Sequence, residues 1–300
     1  LSFNTNFPNL IMKKLFTLAI ASLMAFTAMA QTKVYVVKTN GQTTEYDLNE
    51  IQEITTVKPE AGNEGKLPGV FSISATKTVR FSQGNLRYCP SAKVWAFADN
   101  QWDIVGAGNK VAVESYTGWM DLFPWGSGDS PFAVVGYSDW GKNKISNGGN
   151  IDNAWYTMRR IEWTYLLENR TNAASKYGLA TVNGVGGLVI LPDVYTQPSA
   201  VTFNAGIGTG FSHNTLNGSE WAQMEANGAV FLPAAGAQSG VGQTVIMTTN
   251  GFYWTPEASV DASGEAQAYR FTITEDNLPR MGSFGPTRHS SVRLVSVVTE

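Results

Sequence analysis

Apolar and polar positions alternate over short distances along most of this chain, and only two stretches carry a helical period. The first alternation falls in residues 33–57, where Val34, Val36 and Val37 lead to Asn40-Gly41 and Thr43 to Tyr46 lead back. Asn-Gly tolerates the positive φ of a two-residue turn, so the pattern predicts a β-hairpin, extended by Leu48, Ile51 and Ile54. A lone hairpin is marginal in water, so a module over 31–57 must dock on something or add strands. Residues 58–67, with Pro, Gly and Glu and almost no apolar side chain, read as a linker.

From 68 to 300 short β-like runs alternate with Gly- and Asn-rich loops. Strands are expected at Val79 to Phe81, Gly187 to Leu191, Ala229 to Leu232, Tyr269 to Thr274 and Val292 to Val298. Met158 to Asn169 is expected to be helical, because from Met158 the apolar positions Ile161 and Tyr165 follow at three- and four-residue spacings, with Leu166 beside Tyr165. Leu216 to Ala226 is the second helix, with Trp221, Met224 and Glu225.

The two helical stretches resemble each other. Each has an apolar residue (Met158, Leu216), three others, Glu-Trp (Glu162-Trp163, Glu220-Trp221), two residues and another apolar side chain (Leu166, Met224). Each is followed by Gly-x-Val-x-Leu-Pro, at Gly187 to Pro192 and Gly228 to Pro233. In the later copy Asn217 is a good N-cap, Glu220 reaches back to free amides, and Gly228 suits a left-handed helix end. The earlier copy has Arg159 in the cap position, so that helix starts less cleanly or takes its cap from another group.

Ahead of all this, Lys13 and Lys14 precede an apolar run from Leu15 to Phe26 and an Ala28-Met29-Ala30 site. That is the form of a Sec signal peptide over residues 12–30 with cleavage before Gln31, which places the protein in the periplasm, on the cell surface or outside the cell. Residues 1–11 are read as upstream, non-native sequence. The apolar run falls short of the ~20 residues of a membrane-spanning helix, and no later run is longer, so no integral membrane segment is expected in the mature chain. Gln31, in place of a cysteine, argues against a lipid anchor.

The formal charge is −3 and becomes more negative once Lys13 and Lys14 are removed, which leaves no electrostatic footprint for nucleic acid. With 15% charged residues, 12% aromatic, 9 Trp and 30 Gly, the composition suits a loop-rich extracellular domain rather than a helical enzyme. The single cysteine, Cys89, rules out an internal disulfide and multi-cysteine zinc sites, and is expected to be a buried core thiol.

Six motifs recur in the order of a known family: Phe81-Ser82-Gln83-Gly84-Asn85-Leu86, Gln101-Trp102-Asp103-Ile104, Glu162-Trp163-x-x-Leu166, Gly228 to Gly236, Gly251-Phe252-Tyr253-Trp254 and Ser291 to Val295. In these the chain resembles exported Bacteroidetes proteins related to the Fibrobacter succinogenes major paralogous domain. Through it, the resemblance extends to the C-type lectin-like fold of formylglycine-generating enzymes and phage-type variable receptor proteins. The implied class is α+β, with two helices flanking small antiparallel sheets and long loops over 68–300, preceded by the hairpin module. Trp254, Val292 and Leu294 would be core, and Arg293 a buried partner for backbone or a carboxylate. The segment between Trp254 and Arg293 matches the region that displays ligand-contacting side chains in the variable receptors, and here offers Glu257, Tyr269, Arg270, Arg280, Met281, Phe284, Arg288 and His289.

No cofactor, metal or catalytic residue is expected. Calcium-dependent sugar binding needs Glu-Pro-Asn or Gln-Pro-Asp plus Trp-Asn-Asp, and neither occurs, while Asp261 to Glu265 reads as a turn. Formylglycine formation needs more than one thiol, and a serine hydrolase needs an elbow absent here. His213 and His289 are read as loop surface residues. Glu162 and Glu220 are repeated first-turn glutamates and so read as helix caps rather than paired glycosidase carboxylates. Gly206 to Gly210 lacks the lysine of a phosphate loop and reads as flexible loop.

There remain the aromatics Trp119, Phe123, Trp125, Phe132, Tyr137, Trp140 and Trp155, which stack on a sugar face, anchor a protein partner or pack the loops. The expected function is recognition of an extracellular glycan or protein without calcium, through Trp119, Trp125, Trp140, Glu257, Tyr269, Arg280, Phe284, Arg288 and His289. The alternatives are a structural envelope component whose hairpin adds strands to another subunit, and a glycan hydrolase.

Overall fold

The computed structural model describes strands Lys33–Val37 and Thr43–Asp47, then residues 64–299 apart from 112, 135, 247 and 248. The expected export segment, the Asn40-Gly41 turn, Leu48 to Val57 and most of the linker lie outside the described residues. The chain divides into two units, Leu1–Lys58 and Pro59–Glu300.

In the first unit Lys33–Val37 and Thr43–Asp47 pair antiparallel, from Lys33 opposite Asp47 to Val37 opposite Thr43. The antiparallel pairing is the expected one, but a two-residue Asn40-Gly41 turn would set Val37 opposite Thr44, so the register is one residue away from that expectation.

The second unit is mixed α and β, with two α-helices and small, mostly antiparallel sheets. A four-stranded sheet runs Thr215–Leu216, Tyr177–Val182, Val185–Ile190, Val230–Pro233, its first pair parallel. A second places the C-terminal Leu294–Val297 between Thr78–Phe81 and Tyr156–Thr157, with Phe71–Ser72 outermost. The longest strands, Gly251–Val260, Ala266–Thr274 and Asn277–Phe284, form an antiparallel meander. Each strand expected from the sequence is present, with ends shifted by up to three residues. No described helix is long and apolar enough to cross a membrane.

The two Gly-x-Val-x-Leu-Pro tails pair with each other. Val189 faces Phe231 and Ile190 faces Val230. Matching the copies puts Val189 on Val230 and Ile190 on Phe231, so each pair maps onto the other. The repeat therefore closes about a local two-fold axis between these pairs, which is why both copies bury their apolar residues in one sheet.

The helices start as their sequences differ. In Gly218–Ala226, Asn217 Oδ1 accepts from the N–H groups of Ser219 and Glu220 (2.9 and 3.0 Å), and Glu220 Oε2 accepts from Asn217 N–H (2.8 Å). The earlier helix has five residues, Arg160–Thr164, followed by a π turn, Tyr165–Asn169. The buried apolar side chains are Trp163, Leu166 and Leu167, an i, i+3, i+4 face set by Trp163, and Ile161, two residues before Trp163, falls on the opposite face and is 70% exposed. Ile161 is thus not the core residue its spacing suggested.

Three aromatic-rich clusters hold the loops. Trp163 stacks on Phe271 (4.6 Å, 8°) between the earlier helix and the meander, beside Phe81, Leu166 and Tyr253. Trp95, Phe97, Phe123, Trp140, Trp155 and Trp254 form a second cluster, and Trp221, Met224 and Phe231 lie in a third under the later helix. A buried aromatic removes roughly 150–250 Å² from water, about 4–6 kcal/mol before conformational entropy is subtracted. That burial does the anchoring that disulfides would otherwise do. Trp254, Val292 and Leu294 are buried as the resemblance implied, and Cys89 is a buried free thiol.

Candidate functional site

The meander and the segment after it position most of the candidate side chains. A bulge between Trp254 and Ala258 interrupts the first strand and turns Glu257 toward the earlier helix. There its carboxylate accepts from the N–H of Arg160 (3.1 and 3.2 Å) and from Arg159 Nε (3.3 Å). Glu162 Oε2 takes the N–H of Arg159 (2.9 Å). Arg159 has no side-chain acceptor, so Glu257 supplies the missing half of the cap. Glu257, read from the sequence as a ligand contact, is a tertiary helix cap, 25% exposed at its side chain.

Around this cap lies a group of half-covered rings. The Arg160 guanidinium sits 4.6 Å over the Tyr269 ring. Trp125 Nε1 donates to the Thr255 carbonyl (2.8 Å), and Thr255 Oγ1 donates to the carbonyl of Tyr269 (3.0 Å). Tyr137 packs 5.1 Å from Trp125 at 42° and donates its hydroxyl to Asp139 Oδ2 (2.7 Å). Burial, with the Asp139 charge added, pushes the Tyr137 phenol well above its ordinary range. The same carboxylate accepts from Thr157 N–H and Gly141 N–H (3.1 and 2.8 Å), which fixes Tyr137 to the scaffold.

A second group adjoins the first through the backbone bond from Trp125 N–H to the Pro286 carbonyl (2.9 Å). At its centre is Arg270, 1% exposed, with Phe252 and Phe284 ring centroids 3.7 and 3.3 Å from its guanidinium carbon. Its Nη1 donates to Ser290 Oγ (3.2 Å). Burial, reinforced by Arg288, pushes Arg270 down to about 9, which still leaves it charged at neutral pH. Phe284 and Arg288 are half-buried at the rim.

His289 belongs to this group but is 1% exposed, so the surface reading fails for it. Its backbone exchanges two hydrogen bonds with Gln238 (3.0 and 3.1 Å), which draws it inside. Burial pushes its imidazole down to about 4, so it is neutral near pH 7.

The remaining candidates lie elsewhere. Trp140 is fully buried, with Nε1 donating to Ser127 Oγ (3.2 Å); it is a core anchor and not a ligand contact. Trp119 is half-buried under Arg87 (4.4 Å), on the loop beside the Leu86–Cys89 strand. Arg280 is exposed beside a shallow dent lined by Trp163, Leu167, Phe271 and Met281. Three partners of the site were absent from the sequence expectations: Arg159, Arg160 and Asp139. The one available signal was Arg159 in a cap position it cannot fill.

The two repeated glutamates are both engaged in caps, and Glu162 also pairs with Lys77 (2.8 Å). Arg293 is buried and donates to Gln101 Oε1 (2.7 Å) and Asn85 Oδ1 (3.4 Å). Its partners are amides rather than the backbone or carboxylate expected, and Glu225 enters through Gln101 Nε2 (2.7 Å). Asp261 Oδ1 accepts from Ser263 and Glu265 N–H groups (2.9 and 3.0 Å), which makes 261–265 a turn. Among the described residues no three His, Cys, Asp or Glu side chains converge on a metal-sized point. The chain matches no protein-family model, no curated protein and no solved structure.

Proposed function

We propose that residues 64–300 form a binding module of C-type lectin-like type, exported by residues 12–30, that recognises an extracellular glycan or protein ligand without calcium, cofactor or catalysis. The observation that carries this reading is the Trp125–Tyr137 pair. Two rings 5.1 Å apart are each tethered by a hydrogen bond at their polar tip, Nε1 to Thr255 and the hydroxyl to Asp139, while Tyr137 stays 37% exposed. Tethered rings lose little side-chain entropy when a ligand stacks on them, so their contact area converts to affinity with small cost. Two helices, small antiparallel sheets and long loops are what a C-type lectin-like scaffold requires. The capping of Glu162 and Glu220 favours binding over glycoside hydrolysis.

A glycan and protein array probed with purified residues 31–300 tests this. A ligand lost on Trp125→Ala, in a variant that still folds, supports the reading; an array without a ligand removes it. The second reading is a structural component whose hairpin adds strands to another subunit. It is favoured by one feature: among the described residues the Lys33–Val37 and Thr43–Asp47 sheet has only these two strands.

A further inference from the structure

The chain buries three arginines almost completely, and it treats one unlike the others. Arg170, 3% exposed, pairs with Asp193 (3.1 Å). Arg293 has Gln101 and Asn85 as acceptors. Arg270, at 1% exposed, makes one side-chain hydrogen bond among the described residues, to the neutral Ser290 hydroxyl, and no described carboxylate pairs with it; Nε is without a partner in all three arginines, so the number and kind of acceptors at the Nη groups set Arg270 apart.

The two phenyl rings do not solve this. Phe252 and Phe284 cover the guanidinium at 3.7 and 3.3 Å, and their negative ring faces favour the charge. They offer no acceptor to its N–H edge, and a guanidinium has five donors in a planar fork. One neutral hydroxyl leaves most of that fork, and all of the charge, without a counterpart inside the protein. A second cation, Arg288, lies close enough to depress the first, so the local field is positive from two sides. Thr272 Oγ1, on the same strand and two residues along, is also without a partner.

The surroundings leave a way in. Gly282 stands opposite Arg270 in the register, and a side chain there would begin 3.2 Å from Phe284. Phe284 ends its strand, is half-buried, and is followed by Gly285, whose missing side chain faces open space. Turning that half-buried ring outward would open the face of the guanidinium that it now covers.

We infer that Arg270 and Arg288 form an anion site that takes a carboxylate group of the ligand, with Ser290 as a further contact and Phe284 as its movable cover. A planar carboxylate matches the guanidinium fork in two parallel hydrogen bonds, which a spherical ion cannot do. The inference deepens the binding reading above and rests on the same face, next to Trp125. An acidic sugar and an acidic protein side chain share this chemistry.

Thermal unfolding of the mature chain at pH 7 tests it, in sodium acetate, sodium glucuronate or an acetyl-glutamyl amide, each against sodium chloride at equal ionic strength. The carboxylates raise the midpoint with saturation and chloride does not. Of glucuronate and the glutamyl probe, the larger rise identifies the ligand as an acidic glycan or an acidic protein. Arg288→Gln, at the rim and chosen to retain the fold by near-ultraviolet circular dichroism, weakens carboxylate binding at least tenfold. An equal response to chloride, or an unchanged response in Arg288→Gln, overturns the site and makes Arg270 a structural cation. A neutral array ligand lost on Trp125→Ala, with no carboxylate response, would leave the binding face standing and remove the anion site alone.

Discussion

The carboxylate of Glu257 caps the backbone N–H of Arg160 from 97 residues away, doing for the earlier helix what Asn217 does for the later one from within. The repeat thus has one locally closed helix start and one that depends on the meander. Removing a helix N-cap costs about 0.5–2 kcal/mol. Glu257→Ala and Asn217→Ala are each expected to lower unfolding free energy by about 1 kcal/mol in urea titrations. They differ in consequence: the Glu257 variant alone also frees Arg159 and Arg160, and with them the ring stack on Tyr269. Equal wild-type stability in Glu257→Ala would show that the cap contributes nothing.

His289 makes stability depend on pH with a definite sign. Its imidazole titrates at about 4 in the folded protein against an ordinary 6.5, so in that interval the unfolded chain binds the proton more tightly. Its contribution is complete above about pH 6.5 and is lost as pH falls toward about 4, a loss of about 3 kcal/mol at most. Unfolding curves between pH 7 and 4 are expected to show this slope, and His289→Gln to flatten it. A slope unchanged by that substitution would assign the acid sensitivity to other groups.

Trp140 and Trp125 were equal candidates by sequence, and the structure separates them. Trp140→Ala empties a fully buried site and is expected to cost about 3–5 kcal/mol. Trp125→Ala loses one hydrogen bond and a half-buried ring, so a cost nearer 1–3 kcal/mol is expected. Parallel denaturant titrations decide; the reverse order would place Trp125 in the core and Trp140 on the binding face.

Breaking the buried network at Arg293 is the harshest of these changes. Arg293→Ala leaves Gln101 and Asn85 short of a donor and opens a cavity beside Tyr253, at about 3–5 kcal/mol. Hydrogen exchange at Phe231, whose N–H donates to Gln101 (2.7 Å), reports it directly: faster exchange is expected there, and unchanged protection would mean that Gln101 holds without the arginine.

The elements that chain-local chemistry determines were readable. Asn217, Glu220 and Gly228 mark a helix start and stop within a dozen residues, and the two Gly-x-Val-x-Leu-Pro tails were legible as strands, though not as partners of each other. What could not be read depends on distant partners. Ile161 has helical spacing, but the inward face is the one that carries Trp163, Leu166 and Leu167, and Ile161 stands opposite it. His289 looks like any loop histidine until its strand-like pairing with Gln238 is known. Trp125 and Trp140 share composition and neighbourhood, and only the partners Thr255 and Ser127, one on the meander and one in the core, tell them apart. Arg270 was legible only as one member of the segment between Trp254 and Arg293; its burial between two rings, with a single hydroxyl as acceptor, depends on distant partners.

The most direct test of the whole account is the affinity of the array-identified ligand for wild-type protein and for Trp125→Ala, measured by calorimetry on samples shown to be folded. The account predicts a loss of tenfold or more with the unfolding transition still cooperative. Undiminished affinity in that variant would contradict it.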